Sequence, residues 1–202
     1  TMKRSSLIIL FVFLAACNNT TAVFEKLSQD AVILAFGDSL TYGTGVSQGA
    51  DYPSILSSLS SHQVINAGIP GEISRDGLER LPEMLDEYQP ELIILIHGGN
   101  DILRKIPRQQ TNDNLKQMIQ LAKQRNIKVV MLGVPEFGLF LLNSAEIYQQ
   151  VAEAQNTPID IETLPEILSD NQLKSDTIHP NEKGYKLMAE NIFNLLVESG
   201  AL

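Results

Sequence analysis

A serine hydroxyl is a weak nucleophile until a neighbouring base takes its proton. That base in turn needs an acceptor to hold its tautomer and stabilise its cation. The chain offers residues for each part. Ser39 lies in Gly37-Asp38-Ser39-Leu40-Thr41-Tyr42-Gly43, where flanking glycines let a turn present the hydroxyl and the backbone N–H to solvent. Asp176-Thr177-Ile178-His179-Pro180 carries an aspartate three residues before a histidine, a spacing that can bring the carboxylate to the ring of its own segment. His97-Gly98-Gly99-Asn100-Asp101 adds an asparagine amide able to donate to a developing oxyanion. Asn66-Ala67-Gly68-Ile69-Pro70-Gly71 adds glycines at which a backbone N–H can approach a ligand closely. Each segment alone has a plainer reading. Ser39, Asn100 or Asp101 can simply cap the next helix, and the glycines can serve only turn geometry. Of the three histidines, His62 sits in a serine-rich stretch expected at the wrong end of the sheet. His97 competes with His179 as base. It has no carboxylate at comparable spacing, so a packing or supporting role is expected for it.

These segments follow apolar runs. Ala31–Phe36, Val64-Ile65, Glu91–His97 and Ile127–Leu132 read as strands, with a weak fifth near Pro158–Ile161. Between them lie helical patterns: one starting at Asp51-Tyr52-Pro53 and one through Leu78, Leu81, Met84 and Leu85. A third is capped by Thr111 or Asn112, a fourth lies near Ala145–Ala154, and a last one opens at Asn181. Strand–helix alternation with continuous apolar strands argues a three-layer, doubly wound α/β fold with a roughly five-stranded parallel sheet between helices. Ligands in such sheets bind beyond the carboxyl ends of the strands, where the chemistry-bearing segments fall.

Residues 31–202 carry no repeat or internal linker and are expected to form one domain. The composition, 44% hydrophobic and 19% charged, is that of a globular protein. Lys+Arg is 15 against Asp+Glu 24, a net charge of −9, which lacks the basic footprint of a nucleic-acid binder. Met2-Lys3-Arg4 followed by the apolar run Leu7–Leu14 has the layout of a secretory signal over residues 1–16. Leu14-Ala15-Ala16-Cys17 resembles the bacterial lipobox, whose cysteine is acylated. The expectation is an exported lipoprotein, lipidated at Cys17 and tethered by residues 17–30. Asn18 rather than aspartate after the cysteine favours the outer membrane. An ordinary cleaved signal with an incidental cysteine is the simpler alternative.

Taken together, Gly37-Asp38-Ser39-Leu40, Gly71, Gly98-Gly99-Asn100-Asp101 and Asp176-Thr177-Ile178-His179 resemble, in order and spacing, the four blocks of the GDSL, or SGNH, hydrolases. The resemblance spans Ala31 to Leu202 and implies their flavodoxin-like fold. It is strongest towards the compact bacterial branch of arylesterases, lysophospholipases and acyl-thioesterase I enzymes. It implies that Ser39 attacks the acyl carbon, that His179 is general base and then acid, and that Asp176 orients His179. It also implies an oxyanion hole of the Ser39 and Gly71 N–H groups with the Asn100 side chain, and neither metal nor cofactor. By the same analogy Ile102–Arg108 and Pro135–Asn143 border an acyl pocket, with Asp38, Phe137, Leu139 and Phe140 as substrate-binding residues. That apolar cluster can equally be core. The branch commonly has serine where Gly68 stands and Asp-Thr where Glu72-Ile73 stands, departures expected at the pocket wall.

The expected activity is hydrolysis of short- to medium-chain esters: aryl esters, with lysophospholipids or thioesters as further candidates, by a monomer. Removal of acetyl groups from carbohydrate or peptidoglycan is the alternative on the same machinery. Two more distant readings are a metallophosphoesterase built on Asp38, His97, Asn100, Asp101 and His179, and a non-catalytic module binding acylated glycans. Three histidines are a thin set for the first, and the second leaves every catalytic position filled for no reason.

Overall fold

The computed structural model describes residues 23–136 and 143–202. The signal segment with Cys17, and Phe137, Leu139 and Phe140 of the expected acyl pocket, lie outside the described residues. Strands β1 (Val32–Gly37), β2 (Gln63–Gly68), β3 (Leu92–Ile96), β4 (Lys128–Leu132) and β5 (Ile159–Asp160) form a parallel sheet ordered β2-β1-β3-β4-β5. Ile33–Phe36 and the whole of β3 are buried, as the apolar runs require of strands covered on both faces. The register pairs Gly37 with both Gly68 and Ile96, so three strands end level with one another.

The helices are α1 (Ser39–Tyr42), α2 (Tyr52–Ser60), α3 (Ser74–Tyr88), α4 (Gly99–Leu103), α5 (Arg108–Gln124), α6 (Glu146–Gln155), α7 (Thr163–Ser169) and α8 (Glu182–Glu198). Stepping from β1 to β2 runs one way along the sheet, and every later step runs the other. Right-handed crossovers therefore put α2 on one face and α3, α5 and α6 on the opposite one. The contacts agree: α2 packs on α8, while α5 packs on both α3 and α6. The strand order reverses between β1 and β3, and the crevice at such a switch point is where a doubly wound sheet binds ligands.

Helix α5 starts at Arg108 behind Pro107, whose own carbonyl accepts the Gln110 N–H at 2.9 Å, and not at Thr111 or Asn112. Those two residues are buried inside the helix, with Thr111 donating to Asp101 at 3.2 Å. Helix α7 was not expected, because seven residues are too few to show a period. It is capped from outside by Asp160, which accepts the Glu162 and Thr163 N–H groups at 2.8 and 2.9 Å. Pro135–Glu136 and Asn143–Ser144 pair antiparallel as a short ladder at the end of β4.

Candidate active site

At the end of β1 the chain turns sharply into α1. Asp38 caps that helix by accepting the Leu40 N–H at 3.1 Å, and Gly43 closes it in the left-handed region at φ 93°. Ser39 is thus the first residue of a four-residue helix standing at the carboxyl end of an interior strand. Thr41 of this helix is buried against the Tyr52 hydroxyl, and Tyr185 of α8 donates to the Thr44 carbonyl at 3.2 Å. The platform that carries Ser39 is therefore held from both α2 and α8.

His179 arrives from the turn that precedes α8. The Ser175 N–H donates to the His179 carbonyl at 2.9 Å, and the Asn181 amide ties the turn to the Gln172 carbonyl at 2.9 Å. Asp176 accepts the Ile178 and His179 N–H groups on Oδ1 at 2.8 and 2.9 Å, an Asx turn that folds the segment back on itself. Its other oxygen accepts from His179 Nδ1 at 2.8 Å. With that proton on Nδ1, Nε2 is left as an acceptor, and it lies 2.9 Å from Ser39 Oγ. Partial burial works to raise the Asp176 carboxyl. The hydrogen bonds from His179 and Ile178 outweigh it and hold the group below the usual carboxylate range.

Besides the Ser39 N–H, the groups expected to form an oxyanion hole, Gly71 and Asn100, follow β2 and β3. Gly71 has φ 80°, a conformation that glycine adopts without strain, and Arg104 of the segment after α4 donates to its carbonyl at 2.8 Å. Among the described residues the N–H groups of Ser39 and Gly71 have no acceptor, which leaves them for a ligand. The Asn100 amide donates to Asp38 Oδ2 and to the Glu72 carbonyl, both at 3.1 Å. An oxyanion must share one of those hydrogens. Beside Ser39 and Asn100 lies a small hollow lined by Leu40, Leu103, Val134, Leu168 and Ile178. A wider cleft of about 410 Å³, lined by Asp160, Glu162, Glu166 and Glu198, contains none of these residues. The arrangement can supply a nucleophile, a base, an orienter and two free donors, and that chemistry, rather than cleft size, marks it as the candidate site.

A sequence profile of the GDSL-like lipase/acylhydrolase family matches residues 35–187. The chain belongs to this family. An arylesterase of Vibrio mimicus is 31% identical over 98% of this chain and 99% of its own. Thioesterase 1/protease 1/lysophospholipase L1 of Escherichia coli K12 is 30% identical over 83% of each. The crystal structure of TesA superposes with a TM-score of 0.75 at 28% identity, covering 82% of this chain and 97% of that one. The SGNH-hydrolase esterase AlinE4 gives a TM-score of 0.63 at 28% identity, over 86% of this chain and 98% of that one. The protein is an ester-hydrolysing enzyme with the three-layer SGNH fold.

Asp38, expected at the substrate, lines the hollow beside Ser39 although only 2% exposed; it also caps α1 and holds the Asn100 amide. Burial raises its carboxyl, and His97, the Leu40 N–H, His179 and Asn100 oppose that only in part. Gly68 is no pocket wall. A Cβ there would stand 2.1 Å from the Tyr42 nitrogen, because the backbones of β2 and α1 touch at this point. Glu72 also turns inward, its carboxylate accepting from Arg80 at 2.7 Å and from His97 at 3.1 Å. His97 therefore does have a carboxylate partner, one contributed from another strand end and invisible to local spacing. His62 lies at the opposite end of the sheet, with Nδ1 2.8 Å from the Ser60 carbonyl oxygen and Nε2 3.2 Å from that of Ser28. Asp101, imagined beside a metal, instead accepts the Ser74 N–H at 2.8 Å and caps α3. Arg104 falls within the Ile102–Arg108 segment expected at the pocket and Ile178 within the Asp176–His179 block, whereas Arg80 and Leu168 carry no such expectation. Leu168 lies on the unforeseen α7, and nothing in the sequence places Arg80 near β2.

Proposed function

We propose that this enzyme hydrolyses short- to medium-chain carboxylic esters through an acyl-enzyme on Ser39. The observation that carries this reading is the chain of hydrogen bonds Asp176–His179–Ser39, at 2.8 and 2.9 Å. Ser39 Oγ attacks the acyl carbon while its proton passes to His179 Nε2. The carbonyl oxygen, now negative, accepts from the Ser39 and Gly71 N–H groups and shares the Asn100 amide. His179 returns the proton to the leaving alcohol, and water repeats the sequence to release the acid. Ionised Asp176 stabilises the imidazolium formed in each half-reaction. The apolar side chains beside Ser39 support an acyl group rather than a sugar at this position. Aryl esters, lysophospholipids and thioesters are the substrates that the relatives' names suggest.

A quenched reaction with a p-nitrophenyl ester tests the mechanism. An acyl mass increment on the Ser39 peptide, and a burst of nitrophenolate, are expected. An unmodified Ser39 under burst conditions overturns the acyl-enzyme. We also propose that Cys17 carries a lipid that holds the enzyme at a bacterial membrane, the outer one favoured by Asn18. Mass spectrometry of the mature protein should find an acylated Cys17 at its N-terminus, whereas an unmodified N-terminus elsewhere makes the segment an ordinary signal.

A further inference from the structure

Behind the Gly71 turn lies a buried ionic cluster that the mechanism above does not use. Arg80 clasps Glu72 side-on, Nε donating to Oε1 at 2.9 Å and Nη2 to Oε2 at 2.7 Å. His97 reaches the same Oε2 at 3.1 Å from the end of β3. Its Nδ1 accepts the Gly98 N–H at 2.9 Å, which puts the ring proton on Nε2, facing Glu72. Arg80 also donates to the Ala67 carbonyl at 3.1 Å and lies 4.3 Å over the Phe36 ring. The Glu72 and His97 side chains are 7% and 0% exposed.

Desolvating such charges offsets most of what their pairing returns, so stability alone is a poor reason for the cluster. Its place in the chain gives a better one. Glu72 directly follows Gly71, whose N–H is free for an oxyanion, and its own carbonyl accepts the Asn100 amide at 3.1 Å. Two residues on, the Ser74 N–H is fixed by Asp101 at 2.8 Å. The Glu72 carboxylate ties this turn to His97 at the end of β3 directly and, through Arg80 of α3, to the Ala67 carbonyl of β2. Oxyanion donors act only when they are already aimed at the developing charge.

We infer that Glu72, locked by Arg80 and His97, is a positioning residue that aims the Gly71 N–H and the Asn100 amide at the oxyanion. The inference rests on the assignment of those two donors above. Losing the lock should lower kcat and spare KM, because the acyl group binds on other side chains.

Glu72→Gln keeps the volume but sets an NH2 donor against Arg80 or His97, both of which already donate. It should lower kcat on p-nitrophenyl butyrate by about 10- to 100-fold, with KM within about twofold and Ser39 still titrated by a fluorophosphonate. Asn100→Ala alone should cost about 100- to 1000-fold. The double variant should sit no more than about fivefold below Asn100→Ala, since both changes remove the same stabilisation. A kcat near that of the parent for Glu72→Gln, or losses that multiply in the double variant, overturns the inference. An Asn100→Ala enzyme with unchanged kcat overturns the oxyanion assignment instead. Should Glu72→Gln not fold, Arg80→Lys takes its place under the same criterion, with a loss of about 3- to 10-fold that again fails to multiply with Asn100→Ala.

Discussion

The Nε2 of His179 stands 2.9 Å from the Oγ of Ser39, across 140 positions of chain. The sheet does not join them; the last helix does. Helix α8 packs on α2, and its Tyr185 hydrogen-bonds the Thr44 carbonyl just past the serine helix. The turn that opens α8 is thereby delivered to the end of β1.

Ser39→Ala should therefore remove ester hydrolysis while leaving the fold intact, because a half-exposed hydroxyl at a helix start contributes little to stability. A loss of roughly four to six orders of magnitude in kcat is expected, with Tm unchanged. In the parent enzyme a fluorophosphonate should modify Ser39 and no other serine. Turnover well above the uncatalysed rate in the variant, or labelling elsewhere, would point to another nucleophile.

Asp176→Asn tests the orienter. The new side-chain oxygen can still accept the Ile178 and His179 N–H groups, but its NH2 then faces His179 Nδ1. That selects the tautomer with a proton on Nε2, pointing at Ser39, and kcat should fall by about 10⁴. The same variant tests a stability effect. The Asp176 carboxyl is held below its ordinary value in the folded state. Its contribution is thus present above the usual carboxyl range and is lost as pH falls through the depressed value. Glu72 has the same sign, with burial opposing and His97 and Arg80 prevailing. Asp38, raised by burial, has the opposite sign. Between about pH 5 and pH 3 the Asp176→Asn variant should lose less Tm than the parent, by roughly 1–2 °C because the side chain is half exposed. Parallel Tm curves would remove Asp176 from the acid limb.

Much of this site can be read from the sequence because each part sits directly after an apolar strand or before a capped helix. Ser39 after β1, Asn100 after β3 and the Asp176–His179 turn before α8 are all local patterns. What could not be read is what crosses between strand ends. Glu72 meets Arg80 at a distance of 8 positions and His97 at 25, and neither spacing carries a local signature. The register that pairs Gly37 with Gly68 and Ile96 is likewise a property of the assembled sheet.

Gly68 turns that register into a prediction. In this chain a Cβ at this position would also come within 2.7 Å of the Thr41 carbonyl carbon. Backbone cannot give way as a flexible side chain does. Gly68→Ser should cost about 1–3 kcal/mol and lower Tm by roughly 3–10 °C. It should lower kcat as well, since the helix it pushes carries Ser39. Calorimetry and the butyryl assay decide it: a variant matching the parent in both would mean that β2 and α1 separate easily.

The acyl group is the last question, and Leu103 is the handle on it. It lines the hollow beside Ser39 with Leu40, Val134, Leu168 and Ile178, yet is 46% exposed, so truncating it should spare the fold. Leu168, by contrast, is 1% exposed, and its loss would disturb the core. Each CH₂ that moves from water onto this surface is worth about 0.8 kcal/mol, so two carbons should raise kcat/KM roughly tenfold until the surface ends. Acetyl, butyryl and octanoyl esters of one phenol should therefore rise from acetyl to butyryl and level off by octanoyl. Leu103→Ala should flatten that rise and leave the acetyl ester almost unchanged, because two carbons scarcely reach the side chain. If acetyl is the best of the three in the parent, the hollow does not bind acyl groups. Removal of acetyl from glycans, which needs no such surface, then becomes the reading to pursue.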